Sequence, residues 1–137
     1  MNTAALDHPA AVVRRLSATD WALRVGVALV FSVFAAEKLV GSNWVDLFAA
    51  IGFGQWFRYF TGAVQLAGAL LLLVPRTARL GGALIGSTMV GALFVHLVLL
   101  DTGVGGAVVP AALLPLVIAA AWHGRGEVVE ESGFRLR

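Results

Sequence analysis

Five side chains hold most of the chemistry this sequence offers: Glu37 and Lys38, adjacent in "FAAEKLVGSNW", then Arg58, Gln65 and His96. A carboxylate and an imidazole exchange protons, and an ammonium stabilises developing negative charge. Glu37 and His96 are therefore the candidate catalytic residues if the chain is an enzyme. Lys38, Gln65, His96, Glu37 and Arg58 are the candidate ligand contacts. Neighbouring residues on a helix point about 100° apart, so Glu37 and Lys38 do not neutralise each other; each needs water or a partner on another segment. The structural alternatives are specific too: Lys38 as an interface anchor, Glu37 paired with Arg58 or His96, Gln65 as an interhelical hydrogen-bonding group, and His96 bonded to a neighbouring carbonyl. Ser87 and Thr88 are expected to bond back to their own helix. A lone His without a second ligand at metal spacing gives no metal site. The absence of cysteine removes disulfides, thiolate metal sites and dithiol redox chemistry. No P-loop, nucleophile elbow or dinucleotide fingerprint occurs.

The elements that must position these groups follow from composition. The 137 residues are 59% hydrophobic and 13% charged, against about 45–50% and about 25% in soluble domains. Roughly 20 apolar residues cross a bilayer as a helix, and four stretches fit: 21–39, 57–74, 80–100 and 104–122. The fold class is all-α, an integral membrane four-helix bundle. In "SNWVDLFAAIGFGQWF", Trp44, Leu47, Phe48 and Ile51 recur at helical spacing. This predicts a short interfacial helix over 43–51, capped by Ser42 or Asn43 and ended by Gly52 and Gly54. Trp44, Trp56 and Tyr59 suit the headgroup level.

Arg14, Arg15, Arg76, Arg79, Arg125, Arg135 and Arg137 fall on one side of such a bundle, with Lys38 and Arg58 on the other. The positive-inside rule then makes the segment 1–20 and the tail 123–137 cytoplasmic. Arg24, one turn inside the first span, is expected to snorkel. The net charge of +2 has no dense basic tract, so a nucleic-acid partner has no support. The bilayer is the first partner. At the helical rise Gln65 lies about 10 Å inward from Arg58, and His96 about 7–8 Å inward from Asp101. Polar groups from three spans thus share one depth near the outer side. Ionisable groups at membrane depth face the bundle interior and mark functional sites by default. Small residues (Gly62, Gly68, Ala69, Gly82, Gly86, and the Ala83–Ser87–Gly91 strip) serve close helix packing, with self-association as the alternative. Pro110 and Pro115 each free a carbonyl in the fourth span.

Three segments carry a resemblance: "AEKLVG", "GAVQLAGALLLLVPRTARLGGALI" and "MVGALFVHLVLL". Over roughly Arg24 to Arg125 the chain resembles the DoxX-like family. Two positions depart from that family's pattern. Glu37 precedes Lys38 where a Gly is usual, and Gln65 stands where a Glu is usual. The resemblance implies a small bacterial four-helix membrane protein. Its relatives are associated with thiosulfate:quinone oxidoreduction, oxidative-stress complexes and assembly of other membrane proteins.

The leading expectation is an accessory subunit of a redox or stress-response complex that binds a lipophilic small molecule. A quinone is the first candidate, since no cofactor is intrinsic to the residues and electron transfer requires a partner subunit. An acid–base isomerase or cyclase acting on a lipophilic substrate is one alternative. A structural or assembly partner of another membrane protein, or a homo-oligomer, is the other.

Overall fold

The computed structural model describes residues 16–100 and 103–123. The expectations placed on Asp101, on Arg14 and Arg15, and on the tail beyond residue 123 lie outside the described residues. Among the described residues the chain forms five helices and no strand. They are α1 (Ala18–Val40), α2 (Val45–Ile51), α3 (Gln55–Leu73), α4 (Ala78–Phe94) and α5 (Gly103–Trp122). Among the described residues, three helical stretches are long and apolar enough to cross a membrane: Gln55–Leu73, Ala78–Leu99 and Val104–Trp122. The 23-residue α1 is not among them; it carries Asp20, Arg24, Glu37 and Lys38.

Local chemistry accounts for the helix ends. Ser17 caps α1 by accepting from the Asp20 amide, and the Asp20 carboxylate reaches back to the Ser17 amide. This capping box joins two orphan donors at the helix start. The two hydrogen bonds from Ser17 hold the Asp20 carboxyl below its ordinary value. At α2 the expected cap is absent: Trp44 is the N-cap residue and no side chain bonds the first turn. Asn43 is drawn off to the Glu37 carboxylate instead, at 2.7 Å. Gly52 (φ 86°) and Gly54 (φ 81°) turn the chain from α2 into α3 in left-handed backbone that glycine adopts without strain.

α1 packs on α3, α3 on α4, α4 on α5, and α5 back on α1. Each presents a helical stripe to the middle. On α1 the stripe is Arg24, Val27, Ala28, Phe31, Ala35 and Lys38; on α3 it is Arg58, Gly62, Gln65, Gly68, Ala69 and Leu72. The apolar core joins Phe31, Leu72, Ile85 and Val117. Its tightest crossing joins α3 and α4 near Gly68 and Gly81. A Cβ built on Gly81 would stand 2.6 Å from the Gly68 carbonyl oxygen and from the Leu72 amide nitrogen. The Ala83–Ser87–Gly91 strip, by contrast, is exposed.

Arg24 does not snorkel. It is only 3% exposed, and its Nε donates to the Ala120 carbonyl at 3.1 Å. A cation beside the last turn of α5 is favoured by the carbonyls and the helix dipole there, and that attraction outweighs the reach to water. Its Nη1 has no hydrogen-bond partner among the described residues.

Candidate functional site

Polar residues of α1, α3 and α4 meet through one hydrogen-bond chain. Lys38 is a single helical turn from the end of α1, on the stripe that faces α3, so its side chain points inward. Its Nζ donates to Gln65 Oε1 at 2.7 Å. Gln65 Nε2 then donates to Thr88 Oγ1 on α4 at 3.2 Å, and the Thr88 hydroxyl donates to the Ile85 carbonyl at 2.7 Å. Three helices are thereby tied in a line, ending on a backbone acceptor. Lys38 is 7% exposed and Gln65 1%.

Gly62 lets this happen. A Cβ there would stand 3.1 Å from Lys38 Cβ and 3.2 Å from Leu39 Cγ, so α1 passes close over α3 with the lysine beside the crossing. Aromatic rings complete the surround: Lys38 Nζ lies 4.5 Å from the Trp44 ring centroid and 6.0 Å from that of Phe34. Ring faces attract an ammonium, and Trp does so best.

Arg58 plays a different part. It is buried, and its Nη1 donates to the carbonyls of Lys38 and Gly41, while Nε donates to Gln55 Oε1 at 2.8 Å. It thus closes the C-terminal end of α1, where exposed carbonyls concentrate negative partial charge. The expected pairing of Glu37 with Arg58 is not formed. Glu37, about 100° round the helix from Lys38, is tied to Asn43 and is absent from the cavity wall described next.

The chain borders a cavity of about 780 Å³. Its walls come from Phe34 and Lys38 on α1, Leu47, Phe48 and Ile51 on α2, and Phe57, Phe60, Thr61, Val64 and Gln65 on α3. Leu84, Ser87, Thr88, Met89, Gly91, Ala92 and Phe94 on α4, Val95 and His96 just beyond it, Gly106, Val109, Pro110 and Leu113 on α5, and Trp44 ahead of α2 complete them. Apolar atoms dominate, with a few convergent polar groups, the usual make-up of a small-molecule site of about 300–1,000 Å³. The Ser87 and Thr61 hydroxyls, like that of Thr88, donate to carbonyls of their own helices. Phe60 and Phe94, 55% and 56% exposed, stand where the cavity meets the surface. A ring cluster centred on Phe57, with Phe48, Phe53, Trp56 and Phe60 around it, covers the end nearest α2.

His96 lines the same cavity. It sits where α4 widens into a π-turn, Val95–Leu99, closed by the Leu100 amide bonding the Val95 carbonyl at 2.8 Å. Such widened turns recur at functional sites. Opposite it, Pro110 has no N–H to give the Gly106 carbonyl, and both residues are on the wall.

Of the sequence candidates, Lys38, Gln65 and His96 border one space, Arg58 braces it from behind, and Glu37 stands outside. Thr88 and Trp44 were not among the candidates. Thr88 gave no signal beyond its hydroxyl, and the periodicity that placed Trp44 on the short helix did not encode its approach to Lys38 on α1.

Comparison with known proteins adds one finding. No curated protein and no solved structure matches the chain. The DoxX-like family model matches residues 22–121, a span that contains α1 to α5 almost whole, together with every wall residue of the cavity. The chain belongs to the DoxX-like family.

Proposed function

We propose that this DoxX-like membrane protein crosses the bacterial inner membrane four times. It holds one lipophilic, oxygen-headed molecule in the cavity, a quinone being the first candidate. In this reading it acts as an accessory subunit of a redox or stress-response complex. The observation that carries the reading is the Lys38–Gln65–Thr88 chain at the edge of a large apolar cavity. A carbonyl or hydroxyl head accepts from Lys38, and an isoprenoid or acyl tail lies along Val64, Leu84, Val109 and Leu113 or passes out between Phe60 and Phe94. Electrons come from and go to a partner, since the chain has no cysteine.

Purifying the full chain, extracting its lipids and assaying quinones tests this. Stoichiometric quinone, or saturable binding of added quinone displaced by a Lys38→Met change, is the expected result. Protein that carries no lipophilic molecule and takes up none sinks the reading. The acid–base reading is weaker, because the Glu37 carboxylate is engaged by Asn43 away from the cavity. The assembly-partner reading has the exposed Ala83–Ser87–Gly91 strip in its favour, but Ser87 and Gly91 also belong to the cavity wall.

A further inference from the structure

We propose that the head of the bound molecule is an ionised oxygen, so that the ligand is a single-chain lipophilic anion; this rests on the cavity-ligand reading and sharpens it. The argument is one of charge balance around Lys38. Its ammonium is almost fully removed from solvent, where a charge without a counter-charge is costly. The groups around it supply only partial compensation: one neutral amide oxygen and two ring faces. The adjacent carboxylate, Glu37, is turned away to Asn43. The neighbouring cation, Arg58, is held by the carbonyl end of α1 and offers Lys38 no counter-charge.

The other polar groups point to the same sign. The Gln65 amide is engaged at both ends, and the Thr61, Ser87 and Thr88 hydroxyls each donate to their own helices. No carboxylate lines the cavity among the described residues. A cationic head finds no counter-ion here. An anionic head finds the remaining N–H donors of Lys38 and a charge to match. With one ammonium, the His96 imidazole and no Arg on the wall, the donors fit a monoanion rather than a phosphate. Two sources share that chemistry, a fatty carboxylate and an ionised hydroquinone.

Equilibrium binding to the purified full chain in an uncharged detergent separates the possibilities, with hexadecanoic acid, its methyl ester and a short-tailed quinone in oxidised and reduced form as probes. The expected result is that an anionic head binds about tenfold or more tighter than its neutral counterpart, the scale of a hydrogen bond to a charged group. Lys38→Met abolishes the preference and Lys38→Arg keeps part of it. Preference for the acid over the ester identifies the carboxylate source; preference for reduced over oxidised quinone identifies the hydroquinone. Neutral heads binding as tightly as anionic ones to the wild-type chain overturn the inference and leave the cavity reading standing. Failure of all the probes to bind removes the cavity reading itself. The wild-type comparison needs no variant to fold.

Discussion

At the scale of single residues, Gln65 is the joint on which the site depends. It is the acceptor for a buried ammonium and the donor to Thr88, so an apolar replacement strands partners on two helices. Gln65→Leu is expected to lower stability by about 1–3 kcal/mol, the usual cost of leaving a buried polar group unmade. Gln65→Glu supplies Lys38 with its own counter-ion and is expected to fold, while losing any preference for anionic ligands. Thermal unfolding in detergent, followed by the acid-versus-ester comparison, checks both; a Leu variant as stable as wild type contradicts the role given to the chain. Depth along a helix was legible in the sequence here, because a rise per residue needs no tertiary knowledge. Which way a neighbour faces was not. Glu37 and Lys38 differ by one position, yet one lies beside a loop asparagine and the other inside. Thr88 was read correctly as bonding back to its own helix, but a hydroxyl accepts as well as donates, and that second bond has no sequence signature.

Among the elements, the α3–α4 crossing makes the sharpest demand on residue type. A methyl on Gly81 meets backbone atoms of Gly68 and Leu72 that have nowhere to go. Gly81→Ala is expected to destabilise by about 1–3 kcal/mol through overpacking. Gly91→Ala, where a Cβ meets nothing within 4 Å, is expected to be neutral or slightly stabilising, since Ala is the better helix former. A pair of melting curves decides it, and equal losses refute the asymmetry. The sequence singles out Gly68 on α3, but on α4 it singles out Gly82, Gly86 and the Ala83–Ser87–Gly91 strip rather than Gly81, which makes the contact. Spacing alone did not separate the face used at the crossing from the Ala83–Ser87–Gly91 strip left outside, because that depends on helix rotation. The π-turn at Val95–Leu99 had no forewarning either: Val, His and Leu there are ordinary for a continuing helix. Arg24 was read as an interface residue because the sequence gives no sign that the carbonyl end of α5 arrives beside it.

For the whole molecule, sidedness is the open physical consequence of the charge pattern, and the cysteine-free sequence makes it simple to read. Ser42 and Arg76 are both exposed and lie at opposite ends of the helices. With termini in the cytoplasm, a membrane-impermeant maleimide on intact cells is expected to label Ser42→Cys and to spare Arg76→Cys. The reverse pattern overturns the orientation, and labelling of both overturns the four-span count. Leu29, Val33, Leu70 and Val98, each more than half exposed, are the surface such a protein turns to acyl chains. The apolar bulk made a membrane habitat plain from composition. The stretch 21–39 reads as a span in the sequence, whereas α1, diluted by Asp20, Arg24, Glu37 and Lys38, is not among the helices apolar enough to cross.

The hydrogen-bonded line from Lys38 to Ile85 stitches α1, α3 and α4 but never touches α5. Among the described residues, the side-chain hydrogen bond that fastens that last helix to α1 lies far from the cavity, where Arg24 reaches Ala120. The chamber therefore has one end fixed by hydrogen bonds and one wall, α5, held by apolar packing. Selectivity should reside in how a guest begins rather than in how long it is, and a homologous series differing only in tail length should bind with a nearly flat profile.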